Sequence, residues 1–224
     1  PTAYDTAWFY GDAEIERNSS VTLGGICITN SATLYFNRTS GDPETSLNSI
    51  SGNGTLKIMH GGLIGQTADL VVESGITIKY MPYATDSWMK ENAGHKIVVH
   101  GTIDASEAQL IVYGGLQQVD GDFIIGENKN NYISSGVTFN GRVVITNGAP
   151  FTVNNTSTFN GDVFVHEGST MTIKAGNCQF NGNTTVDGTL QNNANDTTFA
   201  ADKNLSGTGT VNLPYRATIN SDIA

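Results

Sequence analysis

The chain has 224 residues, with 11 Lys and Arg against 21 Asp and Glu, a net charge of −10 and only 14% charged residues. Cations so few and so scattered cannot neutralise a row of phosphates or an anionic lipid surface, which excludes nucleic-acid binding and electrostatic docking on membranes. No apolar run nears the ~18 residues a spanning helix needs, so direct membrane insertion is excluded as well.

With 26 Gly, 5 Pro and 2 Cys, the composition is that of a turn-rich, strand-rich chain with a neutral surface supplied by Asn, Thr and Ser. It opens at Pro1-Thr2-Ala3 without Met and without a signal segment, and is expected to be a processed piece of an exported protein.

Residues 1–17 fall outside any repeat. Trp8, Phe9 and Tyr10 form an aromatic start, expected to be a lead-in strand or cap over an open first coil, or a strand given to a neighbouring subunit. From residue 18 onward, Val21-Thr22-Leu23, Gly25-Ile26-Cys27-Ile28 and Ala32 to Phe36 alternate apolar with small polar residues, as half-buried strands do.

A turn-dense stretch near 38–50 reads as a first loop insertion, and Gly54 to His60, Leu70-Val71-Val72 and Ile76-Thr77-Ile78 resume the strands. The stretch 79–96 reads as a second, longer loop. Its Tyr80, Tyr83, Trp88 and Met89 are the candidate interaction residues, because loops on a rigid scaffold carry recognition and aromatic rings supply contact area at small entropy cost. The competing reading is a plug folded back over the side of the scaffold.

After Ile97 to Ile103, Gln109 to Tyr113 and Phe123-Ile124-Ile125, a phrase returns on a fixed beat. Phe139-Asn140-Gly141, Phe159-Asn160-Gly161 and Phe180-Asn181-Gly182 recur about every 20 residues, and Phe199 falls where a fourth copy starts. A period near 20 with short strands and Gly/Asn corners predicts a solenoid whose coils hide their apolar faces by stacking. The fold class is therefore all-β: a single-domain right-handed parallel β-helix of about 20 residues per coil and roughly 10 coils.

In-register stacking then predicts an inward column of Phe139, Phe159, Phe180 and Phe199, and a ladder of Asn140, Asn160 and Asn181 at one corner. Gly follows the Asn because the corner needs either positive φ or close backbone approach. On this reading the repeated phrase is architecture, and function belongs to the interruptions of the beat.

The repeats from 180 to 190 and from 204 to 213 resemble coils of bacterial autotransporter passengers and filamentous-haemagglutinin-type adhesins. The resemblance implies an exported, non-catalytic β-helix at the cell surface, acting as an adhesin or as the shaft of one. Its partners would be a protein or glycan on a cell surface, or identical subunits, and no cofactor is implied. The alternative is a subunit of an extracellular fibre that polymerises end to end or by exchange of a terminal strand.

A third class, the polysaccharide-cleaving β-helix, needs clustered carboxylates. Asp120 and Asp122 are the one tight acidic pair, and a lone Asp-x-Asp is equally a turn before a strand. His60, His95, His100 and His166 have no metal-ligand spacing, and the chain is read as no enzyme. Cys27 and Cys178 lie too many coils apart to pair. Sequons at Asn18, Asn37, Asn53, Asn154, Asn155, Asn183, Asn195 and Asn204 are mostly what such an Asn- and Thr-rich chain contains by chance.

Overall fold

The structure, a computed structural model, describes residues 5–38, 41–65, 67–91, 93–127, 129–193, 196–220 and, in backbone alone, 222–223. All assigned strand pairs are parallel and there is no helix among the described residues. The chain winds into a β-solenoid of about 10 turns, with successive turns about 21 residues apart.

Each coil places two strands in a 20-stranded sheet and one in a 10-stranded sheet. Ile97–Val99 and Thr102–Ala105, followed by Leu110–Val112, make one such coil. At the spacing of paired strands the rod is on the order of 50 Å long.

Alternation fixes which side chains line the interior. Along Ile76–Met81 every second residue, Ile76, Ile78 and Tyr80, is buried. In-register pairing then stacks those positions coil on coil, so the core is one continuous cluster from Leu23 to Leu205. Each aliphatic side chain so enclosed contributes about 1.5–3 kcal/mol.

The register Phe139↔Phe159↔Phe180↔Phe199 puts four rings in one inward column. Centroids of successive rings are 5.2, 4.7 and 4.8 Å apart with planes within 7–15° of parallel. Outside, at the adjoining corner, Asn160 Nδ2 donates to Asn140 Oδ1 at 2.8 Å and Asn181 Nδ2 to Asn160 Oδ1 at 2.8 Å. The glycine that follows is required by close approach: a Cβ on Gly161 would sit 2.1 Å from the Gly141 carbonyl oxygen.

Three stretches differ from the sequence expectation. Residues 5–17 are no separate cap: Thr6–Phe9 pairs in parallel with Gly25 to Ile28, and Ala13–Arg17 with Leu34 to Arg38, so they are the first coil itself. The beat is hidden there because the inward positions carry Ala7, Phe9, Ala13, Ile15 and Arg17 in place of the recurring phrase. The insertion near 38–50 is largely strand, with Glu44–Leu47 and the start of Ser49–Met59 inside it.

The insertion at 79–96 is likewise two strand segments, the end of Ile76–Met81 and Ser87–Lys90, joined by a corner at 82–86. Tyr80 and Met89 therefore point into the core, each 0% exposed, and form no part of a loop. Polar neighbours and Pro82 concealed a period-2 pattern too short to read as strand.

Candidate functional site

The corner that leads from the larger sheet into the smaller one changes character along the rod. In the first four coils it holds Arg17, Arg38, His60 and Tyr83, one coil apart in turn. Arg17 is buried, donates to Thr45 Oγ1 and, at 3.2 Å, to the His60 carbonyl, and lies 4.8 Å from the centroid of the Phe36 ring. Burial pulls its pKa down to about 10, so it remains a cation at neutral pH. No carboxylate faces it among the described residues, and its Nε has no partner.

His60 sits above it at φ +55°, only 2% exposed. Its Nε2 lies 2.8 Å from Asp42 Oδ1 and its Nδ1 2.9 Å from Thr85 Oγ1. A carboxylate only accepts, so in the neutral ring Nε2–H donates to Asp42 and Nδ1 accepts from the Thr85 hydroxyl. The bonds tie three successive coils together.

Two aromatic rings pack on this imidazole. Tyr83 is 5.1 Å away at 35°, and Trp88 is 5.3 Å away, edge to face. The Arg38 guanidinium covers the Tyr83 ring at 4.5 Å and also reaches Asp42 at 3.3 Å. Trp88 is seated on the backbone below, for a Cβ at Gly62 would lie 2.1 Å from its indole nitrogen.

Lys129 Nζ holds the Tyr83 carbonyl at 3.0 Å, and Lys90 pairs with Glu44 beside it. Tyr83 and Trp88 stay half-exposed, so of the four candidate interaction residues the structure brings these two together at the surface. At the start of the rod, Trp8 and Tyr10 are exposed and stacked at 6.2 Å, while Phe9 turns inward against the core.

Asp42, His60 and Thr85 have the order of an acid, base and hydroxyl relay, but the imidazole is buried with Tyr83 and Trp88 packed on it. The Asp42 side chain is 71% exposed, the reverse of the buried acid that keeps such a relay oriented. The arrangement packs two rings against the imidazole.

The acidic pair is committed to hydrogen bonds within its own coil and to the neighbouring ones. Asp120 accepts from Asn140 at 2.6 Å, Gln118 at 2.8 Å and His100 at 2.5 Å, beside an open hollow of about 460 Å³ lined by Glu73 and His100. Burial raises its pKa, but the donors Asn140, His100 and Gln118 together bring it below the usual carboxylate value. Asp122 is held in a fork by Arg142, whose hydrogen bonds lower its pKa against the opposing effect of burial. Both groups stay ionised, whereas a general acid needs a raised pKa.

Among the described residues no group of three or more His, Cys, Asp or Glu is placed to hold a metal ion. Cys27 and Cys178 are free and buried, and burial pushes the Cys178 thiol up to about 11.

Arg38, Asp42 and Thr85 lie within the interruptions to which the sequence assigns function, though none stands out there, whereas Arg17 and His60 lie outside them. Arg17, Arg38, His60 and Tyr83 do keep a beat of 21–23 residues, but four unlike side chains do not stand out as a repeat. Comparison with protein-family models, curated proteins and solved structures finds no match.

Proposed function

We propose that this chain is the shaft of an exported, surface-exposed adhesin of the autotransporter-passenger or filamentous-haemagglutinin type, without catalysis. In this reading it attaches through its Tyr83 and Trp88 corner to a protein or glycan on a cell surface. The observation that carries it is the pair of half-exposed rings, locked by His60, Arg38 and Gly62 onto a stiff rod. Rings already fixed lose little entropy on binding, and Arg38, Asp42, Thr85 and Lys90 surround them with polar groups that select a partner.

The test is binding of the labelled chain to a glycan panel and to intact cells. Tyr83→Ala and Trp88→Ala should each weaken attachment at least tenfold without moving the unfolding midpoint of the distant Phe139 to Phe199 coils. Attachment untouched by both substitutions rejects the corner. Depolymerisation of a polysaccharide panel that disappears in Asp120→Ala would overturn the non-catalytic reading.

A further inference from the structure

Asparagine followed by glycine is the step at which a chain deamidates most readily, because no side chain beside the glycine nitrogen hinders its attack on the asparagine amide. The sequence holds five such steps, at Asn53, Asn140, Asn147, Asn160 and Asn181. The fold treats them unequally.

In four of the five, one or both reacting groups are already bonded. Gly54 N–H donates to the Gly75 carbonyl at 3.0 Å. Asn140 is held at both ends of its amide, Nδ2 donating to Asp120 Oδ1 at 2.6 Å and Oδ1 accepting from Asn160 Nδ2 at 2.8 Å. Asn160 Oδ1 accepts in turn from Asn181 Nδ2 at 2.8 Å. Behind these two, Gly161 N–H and Gly182 N–H donate to the Phe139 and Phe159 carbonyls, each at 3.3 Å. To react, every one of these steps must first give up a bond that the stacked coils hold in place.

Asn147-Gly148 is the exception. It is the middle of a tight turn closed by Ala149 N–H on the Thr146 carbonyl at 3.0 Å, with φ +55° at Asn147 and +74° at Gly148. Positive φ at both central residues defines the turn type that favours Asn-Gly. The Asn147 side chain is exposed, and neither its amide nor the Gly148 N–H has a hydrogen-bond partner among the described residues. The turn is open as well: the nearest atom to a Cβ placed on Gly148 would be the Gly168 carbonyl oxygen, 3.9 Å away.

We infer that the fold singles out Asn147 for spontaneous deamidation, with water as the only co-reactant. The Gly148 nitrogen attacks Asn147 Cγ. The new N–Cγ bond forms as Cγ–Nδ2 breaks, the proton of the attacking nitrogen leaves with the amide as ammonia, and a succinimide ring remains. Water then adds to either ring carbonyl and breaks its bond to the Gly148 nitrogen, which takes a proton back. The product is an aspartyl or an isoaspartyl residue, and nothing is oxidised or reduced.

Register sets the consequence. Asn147 follows Ile145 at the same offset as Glu127 follows Ile125 and Glu167 follows Val165, and those three strand residues pair directly. The new carboxylate therefore stands between two others, one coil from each, and like charges so placed repel. Deamidation loosens this corner irreversibly. The site lies in the repeating coils and does not depend on what Tyr83 and Trp88 bind.

The test is prolonged incubation of the folded 224-residue chain at neutral pH, with each asparagine followed by mass spectrometry. Asn147 should convert at least tenfold faster than Asn53, Asn140, Asn160 or Asn181, to mixed aspartyl and isoaspartyl products. In urea the five steps should converge on similar rates, because the difference belongs to the fold. Asn147→Gln should remove the fast phase of ammonia release and leave the slow steps as they are. Asn147→Asp, which installs the charge of the product, should speed hydrogen exchange in the strands on either side relative to the fresh wild-type chain. A folded chain in which Asn147 reacts no faster than the ladder asparagines would overturn the inference. So would a spread of rates that persists in urea, or ammonia release unchanged by Asn147→Gln, and exchange unchanged by Asn147→Asp would overturn the loosening.

Discussion

The coils from Phe139 to Phe199 and those from Thr6 to Lys90 share one fold and opposite principles. In the first set, translation by one coil brings the inward Phe and the corner Asn onto their own kind, and Phe on Phe and Asn on Asn satisfy one another from coil to coil. In the second, one corner passes through Arg17, Arg38, His60 and Tyr83, so every contact is between unlike groups. Uniform stacking gives stability that any coil could supply. A distinct surface requires the uniformity to be broken, and the half-exposed Tyr83 and Trp88 occur where it is.

The sharpest way to break the comparison is in the uniform half. Phe159→Ala removes the central ring of the column, whose neighbours on both sides are held by the same register and cannot collapse into the void. A loss of about 3–5 kcal/mol is expected in urea unfolding. A smaller loss would mean that the stacked rings repack, and that uniform coils are more fluid than their register implies.

The corner should respond differently. Arg17→Ala removes the donor to Thr45 and to the His60 carbonyl, both buried, and should cost about 2–3 kcal/mol. Arg17→Met, which refills the volume and removes a buried charge with no carboxylate opposite it, should recover a large part of that loss. Equal losses in the two variants would show that the guanidinium's hydrogen bonds, not its volume, hold the corner.

The solenoid and its inner column were legible because period and alternation act on neighbouring residues and on identical ones. Phe139, Phe159, Phe180 and Phe199 announce themselves by repeating. Tyr80 and Met89 did not, since a strand of four residues such as Ser87–Lys90 offers only two inward positions, and Pro82 with Asp86 beside it gives the look of a loop. The corner was masked for another reason: Asp42, His60 and Thr85 meet only because three coils superpose, and the beat that aligns Arg17, Arg38, His60 and Tyr83 runs through unlike residues. Its aromatic members were found by composition, its supporting shell was not.

The mildest prediction concerns the seam between the halves, where the Asn ladder ends on Asp120 and Arg142 grips Asp122. Both carboxylates have folded-state pKa values below their unfolded ones, so their stabilisation is complete above about pH 4 and is lost as pH falls through the unfolded value toward the folded one. The pairs are partly solvated, which keeps the effect small. Hydrogen exchange at pH 3 should show protection falling first near residues 100–145, while the Phe159 to Phe199 coils hold. Asp120→Asn, which cannot lose a charge, should flatten that acid response in its own coils. Acid loosening that begins instead within the Phe159 to Phe199 stack would place the weak point in the uniform half, and the seam would then mark only a change of sequence, not of stability.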